Sequence, residues 1–183
     1  MPSTITPVPD SRRVLLLLDF QRAALADASA KLVEQNVLRI LEQARIASPP
    51  PRIIHVRNQG EEGEPDERNS VGWQLISDPL PTEHILDKKK NNAFAGTNLG
   101  DMIPSDAEVV VVGFQTDFAI RETCRAALER GNEILLIRGA HGTRDGVDGT
   151  PALRITQDVE TTLEDGGAHF LDMKHVSGLF TDR

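Results

Sequence analysis

The chain has 183 residues and a formal net charge of −8 at pH 7, enough length for one domain with a sizeable core. The acidic balance weighs against nucleic acid or an anionic membrane as a principal partner. Its single cysteine excludes an intrachain disulfide and fits a reducing compartment, so a cytoplasmic protein is expected.

Residues 1–12 lack a basic-then-apolar leader pattern and read as a flexible arm, with 13–183 as one domain. "RRVLLLLDF" is a continuous apolar strand ending in Asp19, as in the middle of a parallel sheet. Its run Val14 to Leu18 is far shorter than the roughly 20 residues a membrane span needs. Leu32, Val33, Val37, Ile40, Leu41 and Ala44 recur at helical spacing, which predicts a helix near 28–46. "SPPP" ends it, because proline lacks the donor and clashes inside a helix. "RIIHVRN" is a second strand. The polar stretch near 60–70 reads as a solvated loop, with a pocket wall as the alternative. "HILDKK" is a short strand and "NLGDMI" a helical turn.

"AEVVVVGF" is another buried strand, followed by a helix near 117–130 that Gly131 stops. "NEILLIRGA" is a strand. In "TPALRITQDVETTLED", Pro151 is expected just inside a helix capped by the preceding threonine. "AHFLDM" closes the sheet. This alternation predicts an α/β three-layer sandwich, with helices flanking a largely parallel central sheet.

In such sheets ligands bind beyond the carboxyl ends of the strands. Three groups fall there: Asp19, Lys88, and the turn from Gly113 to Ala119. A carboxylate directly after four leucines is poorly placed as a surface charge, although a helix cap or a paired structural acid is the plain alternative.

These segments resemble the isochorismatase-like cysteine hydrolases, which include nicotinamidases and N-carbamoylsarcosine amidohydrolases. "LLLLDFQ" is similar to the family's apolar strand ending in Asp-x-Gln. "KKKNNAFAGTNL" is similar to its lysine five residues before Ala-Phe, followed by Thr-x-Leu. "GFQTDFAIRETCRAALERG" resembles its Gly-x-x-Thr-Asp-x-Cys turn and the helix behind it. The resemblance implies a Rossmann-like fold. It makes Asp19 the general base, Lys88 the triad lysine and position 119 the nucleophile of C–N bond hydrolysis in a small amide, imide or ureido compound. It further implies a cis bond between Phe114 and Gln115, in a turn whose N–H groups face an oxyanion, and a homo-dimer or tetramer. Without the resemblance, the lysine triplet reads as a solvated face.

Position 119 is alanine. Cys124 is no substitute: five helical residues rotate the side chain about 140° off the face of residue 119 and raise it about 7.5 Å. It reads as a small buried hydrophobe. Two origins of Ala119 stay open, a cysteine replaced deliberately to hold an uncleaved ligand and a natural departure, and the first is favoured. Rival readings are a catalytically silent small-molecule-binding protein and a vinyl-ether hydrolase that uses Asp19 without a thiol. Thr116-Asp117 resembles the amidohydrolase branch and opposes the last.

No metal is expected. The resemblance places a metal site near the second strand in nicotinamidase-like members, built on Asp-x-His and another histidine. "HVRNQGEEGEPDERN" has His55 alone. No dinucleotide or phosphate-loop glycine pattern follows any strand, so no cofactor is expected. Phe20, Gln21, Trp73, Phe94 and Phe118 flank the three groups and are candidate pocket walls, core packing being the alternative. Arg57 and Asn58 could face the same cleft or solvent. His141 could line its mouth or stabilise a turn.

Overall fold

The computed structural model describes residues 12–181; residues 1–11 of the expected arm and the last two residues lie outside that range. Six strands form one sheet: β1 (Arg13–Leu18), β2 (Arg52–Asn58), β3 (His84–Lys88), β4 (Glu108–Phe114), β5 (Glu133–Gly142) and β6 (His169–Asp172). Their spatial order is β3-β2-β1-β4-β5-β6, and every neighbouring pair is parallel. Strand order therefore reverses between β1 and β4. Their carboxyl ends diverge into opposite connections there and leave a crevice, the place where open sheets of this kind take ligands.

The apolar strands are buried on both faces because alternate residues point to opposite layers. Val14, Leu16 and Leu18 of β1 join Val109 and Val111 of β4 in one core. Leu15 and Leu17 join Val110 and Val112 in the other. Helix α1 (Ala30–Ile46) covers the second core with Val33, Val37, Ile40, Leu41 and Ala44. The first is covered by the short α2 (Leu99–Met102), by α3 (Arg121–Glu129) and by α4 (Ala152–Asp165). The expected three-layer α/β architecture is what the chain adopts.

The helix expected near 28–46 is α1, and residues 22–26 before it form a separate tight turn whose side chains are not buried. Two local expectations need correction. The helix expected near 117–130 opens with a widened turn over Thr116–Ile120, closed by Ile120 N–H donating to Gln115 O, before α3 begins. Pro151 is extended and lies just outside α4 rather than inside it, and Thr150 does not cap it. The first free N–H, on Ala152, is instead bound by the Asp145 carboxylate at 2.8 Å.

Candidate active site

Asp19 follows β1 directly, in the left-handed region at φ 51. Few residues other than glycine, asparagine and aspartate adopt that region. This turns the chain out of the sheet while its N–H stays bonded to Val56 O at 2.9 Å. Lys88, the last residue of β3, reaches across β2, and its Nζ donates to Asp19 Oδ2 at 3.1 Å and to Asn58 Oδ1 at 3.0 Å. Its side chain is buried, which is tolerable for an ammonium group only with such partners.

Burial pushes the Asp19 carboxyl up to about 6; neighbouring Lys88 opposes the rise and Asp66 adds to it. About one-fifth of this side chain is exposed. Its Oδ1 is enclosed and makes no hydrogen bond. Such a group is ionised at neutral pH yet returns a proton readily, which suits general base and acid work.

The end of β4 approaches β1 closely. A Cβ on Gly113, at φ 119, would overlap the Leu18 carbonyl oxygen. That contact brings the turn after β4 alongside Asp19, and the Phe114–Gln115 peptide there is cis. A cleft of about 430 Å³ lies over this junction, lined by Asp19, Gln21, Asn58, Phe114, Gln115 and Phe118 among the expected residues. Phe118 is exposed, whereas Ala119 is buried and, like Lys88, is not among the residues that line the cleft.

Several expected wall residues are elsewhere. Phe20 is buried in the core, where it stacks on Phe114 with ring centroids 6.3 Å apart. Phe94 packs against the other core and carries the Arg130 guanidinium on its ring, 4.7 Å from the centroid. Arg57 is paired with Asp87 at 2.7 Å and its guanidinium carbon sits over the Trp73 ring, 3.6 Å from the centroid; neither Arg57 nor Trp73 lines the cleft. Trp73 contributes its backbone carbonyl, which accepts from Gln21 Nε2 at 2.9 Å. His141 is buried beneath the turn, 2.8 Å from Thr116 Oγ1 through Nδ1, instead of at the mouth. Burial and, to a lesser degree, Arg138 push its ring down to about 4, so it is neutral at physiological pH.

Asp66, Asn91 and Arg144 also line the cleft, and sequence reasoning passed over them. Asp66 accepts from Asn58 Nδ2 at 2.7 Å, so the polar loop after β2 contributes a wall rather than standing free in solvent. The pocket-wall alternative pointed there, but nothing in the local sequence singled out Asp66.

Cys124 is fully buried in the core, and burial pushes its thiol far up, away from thiolate formation. Among the described residues, no group of three or more His, Cys, Asp or Glu could hold a metal ion. His55 is bound to Glu83 at 2.7 Å. Nor, among them, is any helix long and apolar enough to cross a membrane.

The site is thus an acid–ammonium pair at the carboxyl ends of a parallel α/β sheet. Residues 13–164 match the isochorismatase domain, and the chain belongs to the isochorismatase family of hydrolases. It is 33% identical over 168 residues to a streptothricin hydrolase of Streptomyces noursei, covering 84% of this chain and 66% of that protein. A second streptothricin hydrolase of that organism is 32% identical, and the match spans half its length. The crystal structure of an isochorismatase from Pseudomonas putida KT2440 superposes with a TM-score of 0.80 at 27% identity, covering 91% of this chain and 92% of that one. An N-carbamoylsarcosine amidase from Thermoplasma acidophilum shares the fold, with a TM-score of 0.75 at 20% identity over 90% of this chain and 98% of that one.

Proposed function

We propose that the cleft is an amidohydrolase site in an inactive form, one that binds a small amide, imide or ureido compound and does not cleave it. The observation that carries this reading is the Asp19–Lys88 pair at 3.1 Å, at the strand ends beside the turn after β4, where residue 119 is alanine. The likeness to the streptothricin hydrolases supports a hydrolytic ancestry for the site.

With cysteine at 119, Asp19 takes the thiol proton while Lys88 balances the charge. The thiolate adds to the substrate carbonyl, and N–H groups of the turn at Gln115 and residue 119 receive the oxyanion. Asp19 returns the proton to the leaving nitrogen. Water then splits the thioester, releasing the acid and restoring the thiol. Alanine leaves the first bond of that sequence unformable.

Ala119→Cys tests the proposal. The variant is expected to carry a thiol that an alkylating probe labels at near-neutral pH, while Cys124 stays unlabelled, and to gain hydrolysis of small amides. Peptide mapping and product analysis read both. Faster labelling of Cys124, or equal hydrolysis by the unmodified chain, would overturn it.

A further inference from the structure

The charged groups that line the cleft are Asp19, Asp66 and Arg144. Asp19 is matched by Lys88. Arg144 donates to Ala23 O at 3.1 Å and lies near Asp27, whose carboxyl is held low first by Ser29 and in part by Arg144. Asp66 has no such answer: among the described residues its side chain meets the neutral Asn58 amide and no cation. The Lys88 ammonium bonds the other end of that amide, Asn58 Oδ1, and Asp19.

The loop is shaped to present this carboxylate. Gly60 N–H donates to Asp66 O at 3.0 Å, and a Cβ on Gly60 would overlap Asp66 Oδ1. A larger residue at position 60 would make the Asp66 carboxylate shift. Asn58 is itself held, its N–H donating to Gln21 Oε1 at 2.8 Å and its carbonyl accepting from Gln21 Nε2 at 2.9 Å. Asp66 is thus a fixed, unneutralised acceptor in the same cleft as Asp19.

We propose that Asp66 is a specificity-determining residue that selects ligands carrying an ammonium or amidinium group beside the carbonyl group that the Asp19 end of the cleft receives. The assignment rests on the amide-binding reading of the cleft. A charge-assisted bond to a carboxylate held in place, in a partly desolvated cleft, favours a cation over a neutral isostere.

Three amides of similar size separate the possibilities: β-alaninamide is cationic, propionamide neutral and succinamate anionic. NMR titration of the unmodified chain is expected to show β-alaninamide binding about tenfold or more tightly than propionamide, with succinamate weakest. The gap should shrink as salt is raised, a readout that needs no variant. Asp66→Asn, which can still accept from Asn58, should close it; Asp66→Glu should keep part of it. A gap unchanged in Asp66→Asn, or a preference for succinamate, would overturn the assignment. Propylammonium, which has no amide, separates the two readings. If it binds in an Asp66-dependent way while no amide binds, cation selection stands and the amide reading falls. Equal binding of the three amides does the reverse, and binding of no probe defeats both.

Discussion

The Asp19 carboxyl, raised to about 6 mainly by burial, makes folding stability depend on pH with a definite sign. Between about pH 4 and 6 the folded state holds a proton that the unfolded chain has released, so stability falls as pH rises through that window. The full effect is on the order of 2–3 kcal/mol and is constant above it. His141 acts with opposite sign: its ring, pushed down to about 4, makes stability rise with pH between about 4 and 6.5. Urea unfolding of the unmodified chain and of Asp19→Asn isolates the first effect. The difference between the two should move against the unmodified chain from pH 4 to pH 7, and parallel curves would contradict the buried-carboxyl account. At this scale the sequence was partly legible. An acid ending an apolar strand, and a lysine at the right interval from Ala-Phe, both pointed to groups that meet. Arg57 and Trp73 were misread as pocket walls because their partnership with each other and with Asp87 depends on how β2, β3 and the following loop dock. For His141 the turn-stabilising alternative, not the cleft mouth, is the one that its bond to Thr116 matches.

Strands β1 and β4 carry the site between them, and Gly113 is where they come closest. Gly113→Ala would place a methyl group against the Leu18 carbonyl at a backbone angle that side chains rarely adopt. We expect a loss of about 3 kcal/mol or more in chemical denaturation, together with loss of ligand binding even where the variant folds. Retained stability would show that the approach of the two strands is softer than described. The six strands and the main helices were readable from apolar runs and helical periodicity, since both report burial directly. Their ends were not. The widened turn at Thr116–Ile120 depends on the backbone of Gln115, and the start of α4 depends on Asp145 reaching it from a preceding loop; neither leaves a periodic trace.

On the scale of the whole molecule, the sheet separates two cores that share no side chain among the described residues. Leu41 lies in one and Leu163 in the other. Leu41→Ala and Leu163→Ala should each destabilise by about 2–5 kcal/mol, and the double variant by their sum within about 0.5 kcal/mol. Denaturant midpoints with unchanged slopes check this, and strong non-additivity would mean that the layers communicate through the sheet.

The position of Lys88 has a kinetic consequence. It ends an edge strand whose other residues are exposed or half-buried, and only Lys88 itself is buried. Brief detachment of β3 would withdraw the ammonium from Asp19 while β1 and β4 stay folded, so the site should be lost by a local opening that costs less than global unfolding. In hydrogen exchange, the amides of β3 that bond to β2 should therefore open well before those of β1. A ligand engaging Asp19 and Lys88 together should slow the exchange of β3 and leave that of β1 unchanged, so that the edge of the sheet reports occupancy of the cleft.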